Sequence, residues 1–511
     1  METRTKLSHP NVTVIPSPAV RTPQVFVGAL SSWGSMATYG AFHGGKGNAL
    51  SALMERVFYH AKDGGFARPS VPSVEMVFGT LNRTFEALKE RCRLSAPVWV
   101  LDFPGLYYSG PKKRLYERAA ETVHRRGFSP RDAHLKSFVK VEKIEIKDKR
   151  QVARLIQPRS PEYNVLVGRF IKHLEHPTYL QLNELWGGPT VMKGLNCFQQ
   201  AHAMREAWDS FSEPVAVMLD AVRFDQHVSI PMLQWEHSVY LEHYRGSDRE
   251  TLATLLQHQL HNVGRIRLDN ETIKYRVSGC RMSGDMNTAL GNCLIMCSCC
   301  WALVQEVGVR VRLFNNGDDC CLIVESRHLN SLRSAIKPFF ERLGFIIDIE
   351  GHTRVFEEIS FCQTQPVYDG QSWRMVRNPH KVLSKDTTLL RRWSPKEWDA
   401  YFACLGKCGL SLTWGLPIFQ EFYLAMERFQ VGELSERLAA HVSGKISRSG
   451  MWQLAHGLDR RVRPVTDAAR ASFAIAFDIP PVVQRQFESI FQRAPRVSSS
   501  LFEDARRTLY L

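Results

Sequence analysis

Asp220 closes a short apolar run, Val215 to Leu219, and Asp225 follows it after a four-residue gap. Asp318 and Asp319 end the polar stretch Asn315-Asn316-Gly317-Asp318-Asp319 between the apolar runs 309–314 and 319–324. Carboxylate oxygens are hard ligands that suit magnesium or manganese. Two such ions roughly 3.5–4 Å apart would activate an attacking 3′-hydroxyl and stabilise a leaving pyrophosphate during in-line phosphoryl transfer. A lone Gly-Asp-Asp is often only turn chemistry. Here Asp-x4-Asp after a strand, Ser-Gly-x3-Thr-x3-Asn at 283–292 and Gly-Asp-Asp in a hairpin occur in that order, which points to nucleotidyl transfer.

These residues need elements to hold them. Val215 to Leu219 reads as a strand delivering Asp220, and a long helix begins after Pro231. Ser283 is placed to cap an apolar, cysteine-rich helix of about 22 residues that stops near Gly308. The runs on either side of Asn315 to Asp318 form a β-hairpin. Another strand surrounds Phe361-Cys362-Gln363 and turns at Asp369-Gly370 into 372–376. From about His380 the pattern is helical, with a capping box at Ser394 and Glu397.

Two basic segments stand out. Residues 112–131 carry seven Lys or Arg against two acids, at helical spacing. Residues 136–159 carry eight against three, in β-like alternation that reads as a basic hairpin with Lys140, Glu142 and Ile144 on one face of its first strand. Gly40-x4-Gly45-Lys46 starts like a phosphate loop, but Gly47 replaces the metal-binding Ser or Thr.

The 511 residues suit two to four subdomains around a sizeable core. A formal charge of +15 favours a polyanionic partner, nucleic acid first. Twelve dispersed cysteines fit free buried thiols and a reducing compartment. No signal peptide is visible, and the longest apolar run, 289–304, contains Asn292 and Ser298 and suits a core helix. His237, His243, His258 and His261 lack convincing metal spacing.

LDAVRFDQHVS (219–229), SGDMNTALGN (283–292), FNNGDDC (314–320) and ARLIQPRSPEYNVLVGRFIKHLE (153–175) resemble the RNA-directed RNA polymerases of positive-strand RNA viruses. The likeness is closest to the tombusvirus-like (Tombusviridae) plant viruses and covers about residues 55–430; hepatitis C-like polymerases share the spacing with weaker identity. It implies an α+β right-hand polymerase of fingers, palm and thumb, with an antiparallel-sheet palm carrying the catalytic hairpin and a mostly helical thumb. The boundaries implied are an N-terminal arm at 1–55 and fingers at 56–210 with a basic nucleotide-tunnel ribbon at 136–160. The palm takes 211–378 with an inserted fingers segment at about 245–280, and the thumb takes 379–511.

Carried over by position, Asp220, Asp318 and Asp319 are the catalytic and metal residues, for two Mg2+ (or Mn2+) ions. Asp225 and Asn292 resemble the readers of the ribose 2′-hydroxyl, which a carboxylate with an amide can satisfy. Thr288 shares a helix face with Asn292. Ser283 and Gly284 resemble the loop that positions template and nucleotide. Arg154, Lys140, Lys149 and Arg150 resemble the cations that meet the triphosphate, Arg154 foremost. Phe361 and Cys362 resemble the strand supporting the primer end. The family's lysine general acid has no counterpart in Leu343 to Asp348, and neither His352 nor Arg354 is assigned that role.

The implied reaction is template-directed RNA synthesis from ribonucleoside triphosphates on single-stranded viral RNA. The implied partners include a companion replication protein, with membrane attachment only indirect. The implied location is the host-cell cytoplasm, at membrane-associated replication complexes reached through that partner or an omitted N-terminal extension. Two alternatives stand beside it. A reverse transcriptase usually has Tyr-x-Asp-Asp where this chain has Asn316-Gly317-Asp318-Asp319. A catalytically silent RNA-binding scaffold would not need the full set of carboxylates.

Overall fold

The computed structural model describes residues 1–19, 25–29, 37–390, 394–429 and 457–494, with Met451 and Ala455. Parts of the expected arm (20–24 and 30–36) and of the expected thumb (391–393, most of 430–456, and 495–511) lie outside the described residues.

The chain mixes helix and strand throughout. β1 (Val12–Pro16) and α1 (Lys46–Leu53) come first, then α2 (Gly110–Arg126), whose last turn holds His124, Arg125 and Arg126, a favourable charge for a helix C-terminus. β2 (Leu135–Val139) alternates buried and exposed residues, and β3 (Leu155–Ile156) returns beside it. α3 (Pro161–Ile171) starts with Pro at its first position behind Ser160, whose hydroxyl accepts from the Tyr163 amide. β4 (Pro214–Ala221) leads to α4 (Ile230–Leu241), capped by Ser229. β5 (His261–Arg267) and β6 (Glu271–Ser278) form a hairpin before α5 (Thr288–Val307), which stops at Gly308 in the left-handed region. β7 (Val311–Asn316), β8 (Asp319–Glu325), α6 (Leu329–Arg342) and β9 (Ile347–Thr353) follow. The hairpin β10 (Thr364–Tyr368) and β11 (Trp373–Arg377) precedes α7 (Pro395–Thr413), α8 (Phe419–Glu427) and α9 (Asp467–Phe477).

Two sheets organise these elements. The four-stranded sheet β7-β8-β4-β9 is antiparallel throughout. β4 and β8 are covered on both faces and read as nearly continuous apolar runs, whereas the edge strand β9 alternates buried and exposed residues. Val215, Val217 and Leu219 pack with α5 and α6, while Ala216 and Met218 pack with Phe361, α7 and α8. The apolar helix α5 passes the length test for a membrane span, yet most of it is buried inside this core. The five-stranded sheet has the order β1-β6-β5-β2-β3, and one of its faces packs on α1.

Residues 1–16 lie along the molecule. β1 pairs with β6, and Asn48 ties Met1, Thr3 and His43 together. Gly28–Ala29 pairs with Thr388–Leu389. All twelve cysteines are free, as their dispersal suggests.

Three sequence expectations fail here. Phe361-Cys362-Gln363 is not a strand: Cys362 and Gln363 turn in the positive-φ region, and β10 starts only at Thr364. Ser283 does not cap α5: the helix begins five residues later with Asn287 at its N-cap, because Ser283 and Gly284 dock against 155–158. The first ribbon strand ends at Val139, so Lys140, Glu142 and Ile144 do not share a strand face. The strands part after the Lys140 amide reaches the Arg154 carbonyl, and both cationic side chains then turn onto Glu142.

Candidate active site

The antiparallel register sets Asp220 on β4 directly opposite Asp319 on β8, and Asp348 on β9 opposite Asp220 from the other side. Directly opposed residues share a sheet face, so these three carboxylates form one row across the sheet end. Asp318 is exposed in the two-residue turn between β7 and β8. Gly317 precedes it at φ +90°, a conformation that glycine takes freely at the first position of such a turn. The Asn315 side chain grips this turn, accepting from the Gly317 amide (3.1 Å) and donating to its carbonyl (2.7 Å).

Like charge dominates this corner. Burial raises the Asp220 carboxyl above its ordinary value, and Glu350, Asp318 and Asp348 add to the rise. Burial and Asp318 push Asp319 to about 6, against a hydrogen bond from the Cys362 thiol that partly offsets them. Among the described residues no Lys or Arg is ion-paired with Asp220, Asp318, Asp319, Asp348 or Glu350. Such an uncompensated set of hard oxygens fits divalent cations. Among the described residues no three of these groups already stand around one common ion position. Asp348 and Glu350 escape the motif reading, although Ile347-Asp348-Ile349-Glu350 alternates as a strand with both acids on one face.

The ribose candidates are joined. The Asn292 side-chain amide donates to Asp225 at 3.0 Å, and its oxygen accepts from Arg281 Nε at 3.1 Å. Burial raises the Asp225 carboxyl, opposed by Asn292 and Arg281. Arg281 is ion-paired with Glu236 on α4, and both side chains are fully buried. Glu236 also accepts from Asn287 (2.8 Å) and Tyr240 (2.7 Å). Gly291 makes room for the pair, because a Cβ there would stand 2.3 Å from Glu236 Oε1 and 2.4 Å from Arg281 Nη2. No sequence signal marks Arg281, Glu236 or Gly291, since the ion pair joins residues 45 apart.

A cavity of about 500 Å³ opens beside the turn, lined by Asp318, Ser283, Gly284, Thr288 and Asn292 among others. Ser283 Oγ accepts from the Gln157 amide (3.2 Å) and donates to the Leu155 carbonyl (3.3 Å). Gly284 bridges to Pro158, whose Cα would be 2.5 Å from any Cβ at 284. The Thr288 hydroxyl bonds the Met282 and Asp285 carbonyls, so it ties down this loop. Phe361 is a core residue at 2% exposure, whereas the neighbouring Cys362 sulfur meets Asn316 Nδ2 at 3.3 Å. Cys362 and Gln363 both have φ above +50°, a strained pair close to the Gly317–Asp318 turn.

The expected triphosphate cations are not in this cavity. Arg154 and Lys140 converge on Glu142, whose carboxyl they hold below its ordinary value although burial works against them. Arg150 binds Glu55, and Lys149 is exposed. Lys112 of α2, Lys172 and Lys193 line the cavity instead, with Lys193 donating to Asn316 at 2.7 Å. A second cluster joins Arg154 to Arg56 and Arg223: burial first, then Arg223 and Arg154, pull the Arg56 guanidinium down to about 10, with Asp225 close enough to oppose them. Arg223 is held in the left-handed region and donates to the Glu55 carbonyl. His352 stands opposite Val217, well along β9 from Asp220, and Arg354 bonds Ser326, so neither reaches the carboxylates.

A sheet-borne row of unpaired carboxylates thus stands near an Asp-Asn pair, a glycine-docked loop and a basic cluster. Residues 13–498 match the family model for viral RNA dependent RNA polymerase, and the chain belongs to that family. It is 38% identical over 485 residues to the RNA-directed RNA polymerase of Tobacco necrosis virus (strain A), covering 94% of this chain and 66% of that protein. It is 38% identical over 491 residues to that of Melon necrotic spot virus (94% and 60%) and 37% identical over 455 residues to that of Turnip crinkle virus (89% and 58%). These relatives are from the Tombusviridae, in agreement with the motif resemblance. The chain spans about half to two thirds the length of the curated relatives it matches.

Proposed function

We propose that this chain is the polymerising part of a viral replicase, copying a single-stranded RNA template into RNA from ribonucleoside triphosphates to replicate a positive-strand genome. The observation that carries the reading is the cross-strand row of Asp220 with Asp319, next to Asp318 in its turn, adjoining a cavity lined by Asn292. In this reading the sheet β7-β8-β4-β9 belongs to the palm (211–378). Residues 56–210 and about 245–280 form the fingers, and 379–511 form the thumb.

Asp220 and Asp318, helped by Asp319, hold two Mg2+ or Mn2+ ions, which when bound lower the pKa of the attacking 3′-hydroxyl and neutralise the leaving pyrophosphate. The protein's own residues do the rest. Asp225 and Asn292 bind the ribose 2′-hydroxyl, one accepting and one donating. Ser283, Gly284 and Thr288 shape the loop against the template base pair. Lys112, Lys172 and Lys193, which line the cavity, meet the triphosphate, and Arg154 joins them from the Arg56–Arg223 cluster when it leaves Glu142. Cys362 steadies the turn near the primer end, and Phe361 anchors it in the core. A companion replication protein or a preceding segment brings the enzyme to membrane-associated complexes in the host-cell cytoplasm.

The test is incorporation of labelled ribonucleotides on a short single-stranded RNA with magnesium or manganese, comparing wild type with Asp220→Asn. Template-dependent product that disappears in the variant and in chelator is the expected result. Equal product from both proteins would move the active site elsewhere.

A further inference from the structure

Several cations of the basic ribbon and of α2 are neutralised by neighbours. Lys140 and Arg154 share Glu142, Arg150 has Glu55, Lys113 has Glu117, and Arg126 has Asp132. The outward face of the five-stranded sheet differs in that its cations stand together in register. Lys136 on β2, Arg265 and Arg267 on β5, and Lys274 and Arg276 on β6 all point to solvent, and among the described residues none has a carboxylate partner.

The register makes this arrangement costly. Arg265 is directly opposite Lys274 across one edge and directly opposite Lys136 across the other, so three cations form a single cross-strand row. Like charges directly opposed on a sheet repel and destabilise it. No acid on the three strands shares this face: Glu271 falls on the alternate set and pairs with Lys46. An aromatic lies among the cations, Phe138 at 52% exposure, two residues from Lys136 on the same face of β2. Burial, then Arg265 and Arg131, hold the His134 imidazole below its ordinary value at the edge of this field.

This face looks away from the catalytic cavity. The opposite face carries Asn262, Gly264 and Ile266, and Asn262 accepts from Arg159 (2.7 Å), which in turn bonds the cavity-lining Asp285 (2.5 Å). None of the five cations lines the cavity.

We propose that this outward sheet face is a second RNA-binding surface, separate from the catalytic cavity, which holds flanking single-stranded template through its phosphates and stacks a base on Phe138. Unpaired cations aligned across strands with an interleaved aromatic are what a sequence-independent single-strand platform needs. The proposal deepens the polymerase reading, on which it rests for the identity of the RNA.

The experiment uses the whole chain and two labelled probes, a 40-nucleotide oligouridylate and an 8-nucleotide one too short to occupy the cavity and this face together. In Arg265→Ala/Lys274→Ala/Arg276→Ala the long probe should bind about tenfold more weakly. Its log K against log salt slope should fall by about 2, from roughly 0.7 per lost phosphate contact. Binding of the short probe and nucleotide addition on a short primer-template should stay unchanged. The charge-conserving Arg265→Lys/Lys274→Arg/Arg276→Lys should retain the long-probe affinity. If the triple alanine variant does not fold, each single alanine variant should lower the slope by about 0.7.

An unchanged long-probe affinity and slope would overturn the proposal, as would an equal loss for the short probe. Loss of binding to phosphatidylserine vesicles with RNA binding intact would overturn it in favour of a membrane surface. If the wild type added no nucleotide to any template while the long probe still weakened in the variant, the polymerase reading would fail and the surface would stand.

Discussion

The ribbon between β2 and β3 and the end of the four-stranded sheet treat concentrated charge in opposite ways. On the ribbon, Lys140 and Arg154 close on Glu142 and Arg150 on Glu55. Lys143 is half-buried with its ammonium on the Lys385 carbonyl, and desolvation brings it down to about 8. At the sheet end Asp220, Asp318, Asp319, Asp348 and Glu350 gather without a paired cation among the described residues. Repulsion and partial desolvation of that kind are retained only where something else supplies the counter-charge. Charge density alone therefore does not locate the site in this molecule; the absence of partners does.

The largest effect should come from the unpaired acids. On the proposed reading Asp318→Ala or Asp220→Asn removes a ligand whose ion would contribute several kcal/mol to the transition state, so single-nucleotide incorporation should fall by about 10³-fold or more. Rapid-quench measurement with magnesium checks this, and a loss under tenfold would break the contrast between the regions. Next is Gly291→Ala, whose Cβ would enter the space of the Glu236–Arg281 pair. Disrupting a fully buried pair should cost about 3 kcal/mol, read as a lower midpoint in denaturant. The same variant should use deoxynucleotides more readily, because Arg281 orients Asn292.

Asn292→Ala should leave the fold intact and reduce the preference for ribo- over deoxynucleotides about tenfold, the worth of one hydrogen bond to a charged or polar group. Competition of rNTP with dNTP at one template position measures it. Asp319 sharpens the comparison through pH. Its folded-state pKa of about 6 lies above its ordinary 3.8, so its ionisation destabilises the metal-free fold, a cost that is complete above pH 6, shrinks as pH falls from 6 toward 3.8 and is gone below 3.8. In chelator, Asp319→Asn should melt above wild type at pH 8, with the gap closing toward pH 5 and closing also on adding magnesium. The smallest effect belongs to the ribbon: Glu142→Gln, which frees two half-exposed cations, should change stability by less than about 1 kcal/mol. A larger loss there would make the ribbon pairs as costly to break as the buried ones.

Much of the four-stranded sheet is legible in order along the chain. The strand ending at Asp220, the Asn-Gly-Asp turn and the Gly308 stop of α5 are all local signals, and the structure holds each of them within a residue or two. The start of α5 is not, because Ser283 has two possible uses and only the docking of Ser283 and Gly284 on 155–158 chooses between them. The ribbon misleads in the same manner: alternation suggests a hairpin whose first strand runs on through Ile144, but that strand ends at Val139 and both Lys140 and Arg154 turn onto Glu142.

By itself the sequence determines which residues can do chemistry and in what order. Asp220, Asp225, Asn292, Asp318 and Asp319 are carried on motifs whose meaning depends on residue type and short spacing, and short-range turn and helix rules present them. Tertiary structure alone decides which charges are compensated. It brings Asp348 beside Asp220, Glu236 beside Arg281, Arg56 beside Arg154, and Lys136 beside Arg265 and Lys274. Coulombic interaction and desolvation depend on distance and burial, which chain separation does not encode.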